Sequence, residues 1–222
     1  TLLGQNVDSY LWYGGGPKKD FDKLSQEEQD ESTNFAELLA MVAEVSPSLR
    51  VRFSTSHPKD MQDDVLHTIA KYENICNYIH LPVQSGNSRI LELMNRGYTR
   101  EWYLNRIEAI RRIIPDCGIS MDIISGFCTE TEEEHEDTLS LMEAVKYNFG
   151  YMFSYSERPN TAAVLMPGVV PKHVRAKRSK MLRGLSVKKR RAFYESQLGN
   201  SLTVLFEGEN KGGYIHGFTE NY

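Results

Sequence analysis

One pattern recurs five times along this chain and leaves few folds open: a short apolar run ends in a polar cluster, and an amphipathic helical pattern begins straight after. It is clearest at His80-Leu81-Pro82-Val83-Gln84-Ser85-Gly86-Asn87-Ser88, where the run Ile79 to Val83 stops and Ile90, Leu91, Leu93 and Met94 follow at helical spacing. The same order appears at Leu2-Leu3-Gly4-Gln5-Asn6-Val7, Val51 to Pro58, Met121 to Phe127 and Tyr151 to Pro159. Strands separated by whole helices cannot pair as hairpins, so parallel pairing with right-handed crossovers is expected, an α/β fold. In such folds ligands bind at the carboxyl ends of the strands, where helix N-termini converge with unpaired N–H groups.

The intervening segments support this reading. A loop with Gly14, Gly15, Gly16 and Pro17 has no packing periodicity and is expected to be mobile. Helices are predicted from Asn34, acting as cap, to near Pro47; from Asp60 to Tyr72; over Ser88 to Met94; and over Arg100 to Ile114, with Arg111 outward. Thr129-Glu130-Thr131-Glu132 signals another helix start, and the acids from Glu130 to Asp137 read as a solvated first turn without function. A long basic helix runs from Pro171 to about Leu198. Beyond it, Leu202 to Phe206 and Tyr214 to Phe218 alternate like strands, so a domain boundary falls near Gln197, dividing 1–197 from 198–222.

With 222 residues, 40% of them hydrophobic, the chain can bury one large core plus a fragment of another domain. It contains no apolar run of the roughly 20 residues a bilayer requires and no signal peptide, so a cytoplasmic protein is expected, without membrane contact and as a monomer. Cys76, Cys117 and Cys128 lack the close pairing of a zinc or iron–sulfur site and read as free thiols. Both ends look cut, which makes a piece of a longer protein the expectation. The net charge of −4 hides acid near Glu130 to Asp137 and base between Lys172 and Arg191.

The strand ends pool amides (Gln5, Asn6, Gln84), hydroxyls (Ser54, Thr55, Ser56, Ser85, Ser125, Tyr155), the carboxylate of Asp122 and the guanidinium of Arg158. Such a set hydrogen-bonds a polar, partly charged small molecule. It lacks a glycosidase carboxylate pair, a Gly-x-Ser-x-Gly elbow and a Walker loop. Each residue also has a plainer reading. Gln84 and Ser85 can satisfy turn backbone, Gly4, Gly86 and Gly126 can merely permit turns, His57 can be a turn histidine, and Arg158 can pair with Glu157. Asp122, on an otherwise apolar strand, favours function because a buried carboxylate is costly without a partner. The basic helix is either docked with solvated lysines or, with Tyr214, His216 and Phe218, an RNA-binding element.

The strings Leu2 to Tyr10, Arg52-Phe53-Ser54-Thr55-Ser56-His57-Pro58, His80 to Gly86 with Met94-Asn95-Arg96, Asp122 to Phe127 with Thr129 to Thr131, and Tyr155 to Pro159 together resemble the radical S-adenosylmethionine methylthiotransferases. The branch most similar acts on N6-dimethylallyladenosine in tRNA; the branch acting on threonylcarbamoyl-adenosine is less surely separated, and a non-catalytic RNA-binding module is the alternative from another class. The resemblance implies a partial (β/α) parallel barrel, S-adenosylmethionine as cofactor, two 4Fe–4S clusters in the full-length protein, and methylthiolation at C2 of an adenosine in the tRNA anticodon stem-loop. It implies cofactor-binding roles for Gln5, Asn6, Gln84, Ser85, Asp122, Tyr155 and Arg158, and a tail from Leu198 that begins a TRAM-like RNA-binding module. In family order the cluster-binding Cys-x-x-x-Cys-x-x-Cys triad precedes the first strand seen here. No cysteine of this chain has that spacing, so no cluster is expected in the fragment, and the fragment alone is expected to be inactive.

Overall fold

A computed structural model describes residues 1–54 and 56–222, with backbone alone at 209–211. The strands are β1 (Leu2–Leu3), β2 (Leu11–Trp12), β3 (Thr33–Asn34), β4 (Phe53–Ser54), β5 (Tyr78–His80), β6 (Gly118–Ser125), β7 (Phe149–Ser154), β8 (Leu205–Lys211) and β9 (Tyr214–Phe218). The α-helices are α1 (Gln26–Asp30), α2 (Phe35–Glu44), α3 (Asp63–Lys71), α4 (Ser88–Leu93), α5 (Arg100–Ile113), α6 (Glu132–Ala144) and α7 (Lys172–Ser196).

Five parallel strands lie side by side in chain order. β1 pairs with β4, a parallel bridge from Val51 to Ile75 joins that pair to the segment entering β5, and β5, β6 and β7 form one sheet. A second bridge, Gln84 to Ile123, carries the β5–β6 pairing up to the polar cluster. Side chains alternate across this sheet with the period of two that strands impose. Val51, Phe53, Ile79, Leu81, Val83, Ile119, Met121, Ile123 and Met152 are buried in one core with Leu39, Leu66, Tyr103 and Ile110 of the helices. The intervening Arg52, Ser54, Tyr78, His80, Asp122 and Tyr151 face the other way and are half-buried or exposed. Thr1 and Tyr151, at opposite edges of the strand order, line the same cavity of about 480 Å³, so the sheet curves around this inner row.

The helix starts follow from their caps. Asn34 with Glu37 and Thr131 with Glu134 form reciprocal capping boxes for α2 and α6, and Asn87 and Thr99 cap α4 and α5. One predicted start is displaced: α3 opens at Asp63 rather than Asp60, because Asp60 is drawn into a hydrogen bond from Asn6. The glycine-rich segment after β1 also has more structure than expected, with a 3₁₀ turn at Lys18–Lys23, a capped α1 and an antiparallel β2–β3 pair. Neither the turn nor α1 buries a side chain, which explains why no apolar periodicity announced them. Arg111 does not face outward as expected; it is half-buried and donates to the carbonyls of Cys117 and Lys146.

α7 docks along β6, β7 and α6 with Leu182 fully buried. β8 and β9 then pair as an antiparallel hairpin, and the last residues fold under the amino ends of the core strands. Arg50 donates to the carbonyls of Phe218 (2.7 Å) and Thr203 (3.2 Å), Asn148 donates to Asn221 O (2.9 Å), and the Tyr222 ring stacks on Tyr78 at 4.8 Å. Gly118 is required there, since any side chain would run into the Asn221 carbonyl.

Candidate functional site

The carboxyl ends of the five strands bring the expected residues to one rim, in two chemically different states. Asn6 is fully engaged: its Nδ2 donates to Asp60 (2.5 Å) and its Oδ1 accepts the His57 N–H (3.0 Å), bracing β1 against the His57-Pro58 turn. Gln5 beside it is exposed and has no side-chain partner among the described residues. Thr55, counted among the rim hydroxyls, lies outside the described residues. Asp8 was not singled out from the sequence, yet it is buried here. Its Oδ1 accepts the His57 N–H at 3.2 Å, its Oδ2 lies near the buried Ser56 hydroxyl, and burial pushes the carboxyl up to about 7.

At the end of β5, Gln84 holds a left-handed backbone, φ +73°, that costs a side-chain-bearing residue on the order of 1–2 kcal/mol. Its N–H donates to Asp122 O (2.8 Å) and its carbonyl accepts from Ile124 N (2.9 Å), while its half-buried side chain has no partner among the described residues. Ser85 has a structural task, accepting the Asn87 N–H at 3.2 Å while fully buried. Gly86 serves packing as well, because a side chain there would strike the Thr138 backbone, and its own N–H donates to Thr138 Oγ1 (3.0 Å). Tyrosines from the helix side hold this strand end in place: Tyr103 donates to Leu81 O at 2.9 Å and Tyr98 to Val83 O at 3.1 Å.

Asp122 stands on the inner wall, one oxygen 3.5 Å from His80 Nε2 and the other buried without a partner among the described residues. His80 Nδ1 lies 2.7 Å from the Ser120 hydroxyl, which lies 2.5 Å from Tyr78 OH, so a hydrogen-bonded chain descends from Asp122 into the cavity. Its members sit two residues apart on neighbouring strands. That spacing is visible in the sequence only once the register is known.

Past β7, the Tyr155 hydroxyl is buried with no partner among the described residues, and burial pushes its pKa up. Its ring packs edge-on to Phe127 at 5.1 Å and beneath the Arg175 guanidinium at 5.4 Å. The alternative pairing of Arg158 with Glu157 does not form. Glu157 is taken bidentately by Arg175 (2.6 and 3.1 Å), whose hydrogen bonds hold the carboxyl down to about 2, and Arg158 remains exposed with its guanidinium free among the described residues.

The acidic run and the basic helix prove to be partners. Arg178 donates to Glu130 Oε2 (2.7 Å), Glu130 O (2.9 Å) and Glu132 Oε2 (2.9 Å), and Glu130 also accepts the Gly126 N–H at 2.7 Å. Glu134 pairs with Arg89 at 2.5 Å. These contacts correct the reading of the acids as a merely solvated turn: Arg178 clamps the β6–α6 loop to α7, and Arg89 ties α6 to α4.

Among the described residues, no group of three or more His, Cys, Asp or Glu could hold a metal ion, and Cys76, Cys117 and Cys128 are buried singly. The residues present therefore do not fit a 4Fe–4S cluster, whereas the unpartnered donors and acceptors of the rim fit a polar small molecule.

Residues 9–142 match the Radical SAM superfamily, and the chain belongs to it. Membership implies S-adenosylmethionine and 4Fe–4S chemistry. The chain is 54% identical over 217 residues to the tRNA-2-methylthio-N(6)-dimethylallyladenosine synthase of Christiangramia forsetii and 57% identical over 216 residues to that of Amoebophilus asiaticus. These alignments cover 97% and 95% of this chain but 45% and 43% of the relatives, so the chain spans less than half of their length. A solved coproporphyrinogen III oxidase of Escherichia coli, described as a radical SAM enzyme, shares the fold with a TM-score of 0.50 at 18% identity, over 79% of this chain and 38% of that one. Among the described residues no helix is long and apolar enough to cross a membrane.

Proposed function

We propose that this chain is the cofactor- and substrate-facing part of a cytoplasmic tRNA methylthiotransferase that acts at C2 of N6-dimethylallyladenosine. The observation that carries the reading is the coincidence of high identity along nearly the whole chain to synthases of that name with a rim where an Asp122 oxygen and the Tyr155 hydroxyl are buried without a partner among the described residues. S-adenosylmethionine, bound with a reduced 4Fe–4S cluster, would supply hydrogen-atom abstraction; among the described residues no group of His, Cys, Asp or Glu could hold that cluster.

The residues divide the work. Gln5, Gln84 and Asp122 offer amide and carboxylate contacts to the amine and hydroxyl groups of the cofactor, and Arg158 offers a guanidinium to its carboxylate. Asn6 and Ser85 act one step back, holding the turns from which those side chains project. Tyr155 presents its hydroxyl at the β7 end, without a geometric hydrogen-bond partner among the described residues. Tyr151 and Phe153, each 51% exposed on the inner row, give a purine a surface on which to stack. The β8–β9 hairpin is assigned as the start of an RNA-binding module covering 198–222, and the catalytic unit as a monomer.

The test is mass-spectrometric analysis of tRNA after reaction with the full-length, cluster-loaded protein. Methylthiolation of N6-dimethylallyladenosine supports the proposal; modification of threonylcarbamoyl-adenosine instead, or none with the cluster intact, overturns it. Asp122→Asn should abolish product while leaving the melting temperature unchanged.

A further inference from the structure

Charge on α7 is sorted by face, and the charges of one face, Arg191 apart, have no ion-pair partner among the described residues. Arg175 and Arg178 are buried and spend their donors on Glu157, Glu130, Glu132 and backbone carbonyls, and Lys189 reaches the carbonyls of Glu143 and Val145 at the end of α6. On the opposite face, at 3.6 residues per turn, His173, Lys177, Lys180, Lys188 and Arg191 align in one exposed stripe, about 27 Å long at 1.5 Å per residue. Of these, Arg191 alone has an ion-pair partner among the described residues, Glu195 at 2.7 Å.

The helix does not need this charge. Its first turn carries Lys172 and His173 and no acid, and its last turn carries no base, which is the reverse of what the macrodipole favours. Nor does the stripe follow from a basic chain, since the net charge is −4. At its middle stands Gly184, four residues from both Lys180 and Lys188. A side chain there would meet nothing within 4 Å, so no packing inside the chain calls for a residue that weakens a helix interior. A glycine at the centre of a cationic stripe lets an external backbone come close.

We infer that the outward face of α7 docks the sugar–phosphate backbone of the tRNA substrate, with Gly184 at the point of closest approach. The inference rests on the proposed function but concerns the outward face of α7, whose residues take no part in the rim contacts described above.

Fluorescence anisotropy with a labelled tRNA transcript and the full-length protein tests it. The triple variant K177Q/K180Q/K188Q should melt as wild type does, bind about tenfold more weakly at low salt, and lose about three from the slope of log affinity against log salt. The control triple K19Q/K71Q/K146Q, also exposed lysines, should bind as wild type does. G184Q should keep or raise the melting temperature and still weaken binding several-fold. Equal affinity and slope for both triples would overturn the inference while leaving the proposed function standing. A wild-type protein that fails to bind the transcript would overturn both.

Discussion

The two ends of the parallel sheet treat polar residues in opposite ways. At the amino end, Arg50, Asn148 and Arg52 are consumed by the tail: their donors go to the carbonyls of Phe218, Thr203, Asn221 and Thr219, with one Arg52 nitrogen left over beside the Tyr222 ring. At the carboxyl end, Gln5, Gln84 and Arg158 keep free side chains, and an Asp122 oxygen and the Tyr155 hydroxyl are buried without partners among the described residues. Burying an unsatisfied polar group costs about 1–3 kcal/mol; Arg111 Nε and the Tyr147 hydroxyl, near the amino end, carry that cost too, so the ends differ in how many polar side chains the tail engages. The comparison separates polar residues that build from those that wait, a distinction residue type alone does not make.

The hardest blow to that division would come from Arg178. It belongs to the carboxyl end yet is a building residue, and Arg178→Ala strands Glu130 in a buried site. A loss of about 3–5 kcal/mol in denaturant unfolding is expected. A stable protein with altered cofactor binding would place Arg178 among the waiting groups instead.

At the amino end, Asn148→Ala removes the acceptor for Ile119 N and the donor to Asn221 O and should cost about 1–3 kcal/mol, with S-adenosylmethionine affinity unchanged. Loss of cofactor affinity at intact stability would dissolve the distinction between the ends.

Asp8 gives the comparison a pH axis. Its native pKa of about 7 stands above the roughly 3.9 of an unfolded aspartate, so the native state holds the extra proton between those values. The contribution of this group is fully present below about pH 4 and is lost as pH rises to 7, with a slope of up to about 1.4 kcal/mol per pH unit. Asp8→Asn should flatten that part of the stability profile, as read by melting temperature across the range.

The smallest effect is expected at Gln84. Glycine adopts φ +73° without strain, so Gln84→Gly should leave stability unchanged or raise it by up to about 1 kcal/mol, while S-adenosylmethionine affinity falls about tenfold for one lost hydrogen bond.

What the sequence revealed was mostly local. The five strand ends, the cap at Asn34 and the helix start at Thr129 to Glu132 all follow from short-range pattern, and the register then placed Gln84 beside Asp122. What it concealed depended on distance along the chain. The Arg178–Glu130 clamp joins residues 48 apart and the Arg50–Phe218 contact residues 168 apart, so two charge runs that looked independent were one structure. Asn6 and Ser85 read from the sequence as rim residues, but their partners His57 and Asn87 make them braces. Nothing local in the sequence marks the carboxylate of Asp8 as buried.

Hydrogen–deuterium exchange on the full-length, cluster-loaded protein, with and without S-adenosylmethionine, puts the division between the two ends to the most direct test. The account requires new protection over residues 4–8, 83–87, 122–126 and 154–158 and none over 48–52, 147–150 or 218–222. Protection confined to the amino-end segments would contradict it.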